Sequence, residues 1–260
     1  KTPTTVKGAT KGGFAIGGFD EVKGGIQDLL TVSNDSIRMY IDKNPAPGKG
    51  ATKGGFAIGG FDGVKGTSFY MDMSPKNYFI GEEAGKALTS GKFNSAIGYQ
   101  SGRSITEGES NAFMGYQSGF NNTIGTGNLF IGYQTGYSTT VGYYNTFVGY
   151  KSGYSNTSGL YNSFLGSFTG YNNITGSANT FVGDSVGYEN IGGFENTFVG
   201  DRAGKKNIYG KKNVFLGNQA GYMNTIGDSS VFIGTKSGFS NTSGFANAFI
   251  GNRSGYSNTT

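Results

Sequence analysis

The stretch NTFVGDSVGYENIGGFE (residues 179–195) runs without a gap into NTFVGDRAGKKNIYGKK (residues 196–212). Both copies open N-T-F-V-G-D, and both place glycine fifth, ninth and fifteenth. Read outward in both directions, the block recurs with no insertion or deletion from Asn77 to Thr260. Its general form is N-x-F-(I/V/L/M)-G-x-x-(small)-G-(F/Y)-x-N-x-x-G-x-x. Self-similarity at a fixed period decides architecture before any local propensity does. Here it predicts an all-β fold, a parallel β-roll or β-solenoid with one seventeen-residue turn per repeat.

The register is strict. The fifth-place turn glycines are Gly81, Gly98, Gly115, Gly132, Gly149, Gly166, Gly183, Gly200, Gly217, Gly234 and Gly251. The first place is Asn except at Ser230, the third is Phe except at Ala96, and the fourth is always Ile, Val, Leu or Met. Each turn reads as two short strands, one over N-x-F-aliphatic and one over aromatic-x-Asn. Glycine makes the corners, where a positive φ or a close backbone excludes a Cβ. The two Asn columns are expected to take left-handed conformations as well. Their side chains can bond along the axis as amide ladders.

Two regions follow. Residues 1–76 hold two copies of a different unit, KGATKGGFAIGGFD, beginning at Lys7 and Lys49. Between the copies, residues 30–33 and 36–42 alternate apolar and polar, as half-buried strands do. Residues 77–260 are the eleven-turn array, with the boundary near Pro75. The chain starts at Lys1 and stops inside a repeat, which suggests a segment of a longer protein whose caps and anchor lie elsewhere.

Composition narrows the function classes. There is no Cys and no His among 260 residues, so thiolate sites and imidazole chemistry are absent. Net charge is +5 without a dense basic stripe, so nucleic-acid binding is not expected. No apolar run reaches the length of a membrane span, so no membrane contact is expected from this segment. No cofactor and no metal are expected.

Side-chain parity points to a partner. Neighbouring strand residues face opposite ways. The Phe column (Phe113, Phe130, Phe147, Phe164, Phe181, Phe198, Phe215, Phe232, Phe249) and the adjacent aliphatic column therefore cannot both line one interior. One of them forms a core and the other an interface. An exposed stripe of that length exceeds what monomers usually carry. A homotrimer of rolls around a shared apolar axis is the simplest solution. A bulge at the glycine that turns both columns inward, giving a monomeric β-helix, is the alternative.

Two aromatic ladders are the candidate surfaces. Tyr99, Tyr116, Tyr133 and Tyr150 share the sixth place and form the candidate binding ladder. Phe120, Tyr137, Tyr154, Tyr171 and Tyr188 share the tenth, where stacking in support of the coil is the simpler role. Asp184 and Asp201 occupy the sixth place of successive turns, a separation compatible with a retaining-glycosidase pair. A surface ion pair with Arg202 is the plainer reading, and no catalytic residue is assigned. Recurring N-x-S/T triplets, as at Asn121 and Asn156, follow from the repeat.

The segments Asn94–Gly98, Gly13–Gly17 and Gly55–Gly59 resemble the N-S-x-A-I-G core of trimeric autotransporter adhesin heads. The resemblance implies left-handed parallel β-rolls, three abreast, carried at a Gram-negative surface. The usual repeat of those heads is about fourteen residues, so the period here departs from it. The expectation is a non-enzymatic, extracellular fibre segment of a bacterial adhesin. It would act as a rigid multivalent rod at the cell surface and attach to a host or neighbouring-cell surface protein or glycan. Rival readings are a receptor-binding tail fibre of a phage or contractile injection system, and an ice-binding solenoid. Scattered second-place threonines (Thr146, Thr180, Thr197) argue against the last.

Overall fold

The computed structural model describes residues 69–260 together with three short strands, Leu30–Val32 (β1), Ile37–Met39 (β2) and Phe56–Gly59 (β3). The chain divides into two compact units, Lys1–Gly48 and Lys49–Thr260. In the first, β1 and β2 pair antiparallel. The first KGATKGGFAIGGFD copy lies outside the described residues. In the second unit, β3 pairs antiparallel with Phe69–Met73 (β4). Strand β4 in turn pairs antiparallel with Asn77–Ile80 (β5).

From β5 onward the sheet is parallel and repeats every seventeen residues. The strands are Asn94–Ile97 (β6), Ala112–Met114 (β7), Leu129–Ile131 (β8), Thr146–Val148 (β9), Ser163–Leu165 (β10), Thr180–Val182 (β11), Thr197–Val199 (β12), Val214–Leu216 (β13), Val231–Ile233 (β14) and Ala248–Ile250 (β15). Each residue pairs with its own equivalent one turn on, as Phe181 does with Phe198. The fold is an all-β parallel solenoid, with no helix among the described residues. Only one strand forms per turn. The aromatic-x-Asn stretch expected as a second strand is a run of tight turns. Its backbone still bonds between turns, with Ser155 N–H donating to the Tyr171 carbonyl at 2.9 Å and Asn172 to Tyr188 at 2.9 Å. Polar backbone is thereby satisfied without strand dihedrals.

The third-place Phe column is the core. Phe113 through Phe232 are essentially solvent-free. Their rings stack face to face with centroids 4.6–5.1 Å apart and planes within 16°. Burial of each ring is worth about 1.5–3 kcal/mol, and each ring pair adds about 0.5–1.5 kcal/mol. The fourth-place aliphatics face out, with Met114 49 % and Leu165 52 % exposed. Parity therefore operates as the alternation rule requires, and no bulge turns both columns inward. Where the Phe column is interrupted, a neighbour replaces the volume. Ala96 is accompanied by Ile105 at the twelfth place, and both are fully buried.

Two buried amide ladders flank the rings. In the first-place column, Asn179 Nδ2 donates to Asn162 Oδ1 at 3.1 Å and to the Gly193 carbonyl of its own turn at 2.8 Å. Its Oδ1 accepts from the backbone N–H and the Nδ2 of Asn196, at 3.0 and 3.1 Å. The twelfth-place ladder runs from Asn156 through Asn173, Asn190 and Asn207 to Asn224, with steps of 2.7–2.8 Å. Neither column is left-handed. The non-glycine residues with φ near +55° sit instead at the seventh and seventeenth places, Arg202 and Glu195 among them. The Asn side chains are committed to the ladders, and the corners fall at places whose side chains point outward.

The glycine columns have separate causes. Gly170, at the ninth place, has φ +57°, and a Cβ there would run into the Phe164 ring. Gly176, at the fifteenth, has no positive φ, yet a Cβ would strike the Gly193 carbonyl of the next turn.

One flaw in the second ladder yields a prediction. Asn122 is fully buried, and neither amide atom finds a partner, because Ile105 and Thr139 are its neighbours in the column. Thr139→Asn should link Asn122 to Asn156 and stabilise the coil by about 2 kcal/mol, since each net hydrogen bond contributes roughly 1 kcal/mol. Phe181→Ala should cost about 3–5 kcal/mol. Thermal and denaturant unfolding read both. A destabilised Thr139→Asn variant would contradict the ladder assignment.

Candidate functional site

The outer surface is a set of columns, each one residue wide and rising by one strand spacing per turn. On the strand face, the second- and fourth-place columns stand side by side. A shallow depression there is lined by Ser95, Ile97, Ala112, Met114, Leu129 and Ile131. Beyond the fifth-place glycine corner comes the sixth-place ladder. Tyr99, Tyr116, Tyr133 and Tyr150 stack with centroids 5.1–5.2 Å apart and planes within 17°. Each ring is 39–44 % exposed.

A second polar column runs beside them. Gln134 Nε2 donates to Gln117 Oε1 at 2.8 Å, Gln117 to Gln100 at 2.8 Å, and Gln100 to Glu83 Oε2 at 2.9 Å. This seventh-place amide ladder was not read from the sequence, although Gln100, Gln117 and Gln134 recur at a constant spacing that could have shown it. Glu83 ends it and receives Lys86 and Arg103, the latter at 2.7 Å. The hydrogen bonds from Lys86, Arg103 and Gln100 hold its carboxyl down at about 2.

The tenth-place ladder, Phe120 to Tyr188, is half-buried and stacked with steps of 5.0–5.2 Å. The stacking itself is the arrangement expected of this column. Burial, with help from neighbouring phenols, pushes the Tyr154 and Tyr188 hydroxyls up. Cations in the same column close both ends, with Arg103 over Phe120 at 5.5 Å and Lys205 over Tyr188 at 5.7 Å. Such contacts contribute about 0.5–1 kcal/mol at exposed sites.

Asp184 and Asp201 each engage a different neighbour. Asp184 accepts from Ser185 Oγ at 2.9 Å. Asp201 accepts from Asn218 Nδ2 at 2.9 Å and faces Arg202 at 3.9 Å. Two further columns escaped the sequence reading. Tyr144 and Tyr161 at the seventeenth place stack at 5.5 Å and are 56 % and 61 % exposed. A thirteenth-place threonine column bonds between turns, as Thr123 Oγ1 does to the Thr140 carbonyl at 3.1 Å. These hydroxyls serve the stack.

Among the described residues no group of three or more acidic, His or Cys side chains converges to hold a metal ion, and no helix is long and apolar enough to cross a membrane. No family model, curated protein or solved structure matches this chain.

The low Glu83 value has a pH consequence. A depressed carboxyl stabilises the fold fully above its unfolded value of 4.5, and the contribution is lost as pH falls through about 2. Wild type should therefore melt above Glu83→Gln at pH 7, and the gap should close by about pH 2. A gap of the same size at both pH values would show that Glu83 acts without its charge.

Proposed function

We propose that this chain is a rigid, non-enzymatic segment of an extracellular bacterial surface adhesin, assembled as a homotrimeric fibre. The observation that carries this reading is the outward fourth-place column. From Ile80 to Ile250, every turn presents one aliphatic side chain on the same line, partly exposed in some turns and exposed in others in the single chain. At one strand spacing per turn the line is roughly 50 Å long. A continuous apolar stripe of that extent marks an association surface. At both ends the second place widens it, with Leu129 near one end and Val214 and Val231 near the other.

A second copy of the chain is the natural cover, because it repeats at the same pitch and can match the stripe turn for turn. Three copies close the set without leaving an apolar edge. The resemblance of Asn94–Gly98 and Gly55–Gly59 to adhesin head cores supports the same arrangement, with the strand faces inward and the ladders outward. Attachment then comes from weak contacts repeated along three identical faces.

Sedimentation equilibrium of the purified segment should give three times the 27.2 kDa chain mass. The double variant Val182→Lys, Val199→Lys should dissociate it while leaving the β-sheet circular dichroism intact. A wild-type segment that stays a soluble monomer at micromolar concentration would overturn the proposal.

A further inference from the structure

We infer that the paired sixth- and seventh-place ladders between Tyr99 and Tyr150 form a binding rail for an extended, uncharged, linear polysaccharide. The inference rests on the adhesin reading only for its biological setting; the argument itself comes from the ladders.

Three observations converge. The first is presentation. The four rings lie face to face, so most of their faces are covered by one another. Their exposure therefore falls on ring edges and phenol oxygens. The surface is a row of phenols whose ring centroids advance by a constant 5.1–5.2 Å. A hydroxyl both donates and accepts, which suits a ligand that is itself a row of hydroxyls.

The second is the neighbouring amide column. Gln117 gives one N–H to Gln100 and takes one from Gln134, an arrangement that fixes the amide plane. Each such amide keeps a second N–H and a second carbonyl lone pair. The rail thus offers a phenol and an oriented amide in each of the three turns that hold Gln100, Gln117 and Gln134, with Lys151 beside Tyr150 in the fourth. The order is already fixed by the stack, so binding costs little side-chain entropy.

The third is charge. Between Glu83 and Lys151 neither column holds an ionisable group other than the phenols. Glu83 is already engaged by Lys86 and Arg103, and Lys151 lies over the Tyr150 and Tyr154 rings. A net charge of +5 resides elsewhere. The rail therefore favours a neutral polymer over a sulfated or carboxylated one.

Spacing selects among neutral polymers. A ligand that contacts every turn must advance by one strand spacing per unit. An extended β-linked glycan advances by close to that step per sugar, whereas a compact or helical glycan does not keep pace. A peptide strand laid along the axis advances about 3.3 Å per residue and falls out of phase.

The same column supplies its own control. Beyond Tyr150 the sixth place becomes Ser167, Asp184, Asp201, Asn218 and Thr235, with no change in the coil. Tyr116→Ser with Tyr133→Ser should therefore fold. The test is co-sedimentation of the segment with amorphous cellulose and with chitin, and titration with β-linked oligomers from two to six sugars. Heparin and alginate serve as acidic comparisons. Wild type should be retained on a neutral polymer. Affinity should rise with length until the oligomer spans Tyr99 to Tyr150, then level off, and the double variant should bind at least about tenfold more weakly. Retention on neither neutral polymer, retention unchanged in the variant, no length dependence, or a preference for the acidic polymers would each overturn the inference. The mass of the same samples separates the two readings. A monomer that binds glycan contradicts only the fibre, and a trimer that ignores glycan contradicts only the rail.

Discussion

A buried asparagine bonded to its own copy one turn away is the constraint on which the rest depends. Asn196 Oδ1 takes the Asn213 backbone N–H at 3.0 Å, and Asn196 Nδ2 reaches both Asn179 and the Gly210 carbonyl. An amide in a dry interior costs roughly 1–3 kcal/mol if left unpaired. Each Asn is satisfied only when an equivalent Asn lies directly above or below. A slip of one residue would turn every strand side chain to the other face, and a slip of two would bring an amide against a phenyl ring. The period is therefore held by polar groups, and the stacked phenylalanines contribute energy to a register already fixed. Ser230 shows the limit. It keeps the backbone contact from Asn247 at 3.2 Å, yet Asn247 Nδ2 is left without a partner.

This arrangement separates what may vary from what may not. Places that point inward repeat nearly unchanged, and the lost Phe at Ala96 is replaced in volume by Ile105. Places that point outward carry tyrosine, glutamine, lysine or aspartate in blocks along the axis. A surface can then be rewritten turn by turn without disturbing the coil. The sixth place is the clearest case, aromatic from Tyr99 to Tyr150 and polar afterwards.

Most of the coil was legible from residues 77–260 alone. Period, parallel register and the glycine corners follow from sterics that act within one or two turns. The parity of Phe147 and Val148 fixed that one must leave the interior; deciding which required the cross-section, where a Phe ring fills the space that the ninth-place glycine vacates. The second strand was misread because an aromatic next to an Asn has strand-like composition while its backbone turns. Left-handed conformations were assigned to Asn by propensity, yet they fall on Gln100, Lys151, Tyr144 and others at the corners. Burial of the Asn amides overrode the propensity. The Gln100–Gln134 ladder was missed because glutamine is ordinary on a surface, and only stacking gives it a partner.

The claim that identical residues lie one strand spacing apart, with the fourth place outside the coil, admits a direct measurement. The chain has no cysteine, so paired nitroxide labels can be placed cleanly at Val182→Cys with Val199→Cys, and at Val182→Cys with Leu216→Cys. The in-register stack puts the first pair about 5 Å apart and the second about 10 Å apart. Electron paramagnetic resonance should show strong spin exchange in the first pair and dipolar broadening in the second. Narrow, non-interacting spectra from the first pair, or equal coupling in both, would contradict the seventeen-residue parallel register and with it the columns built upon it.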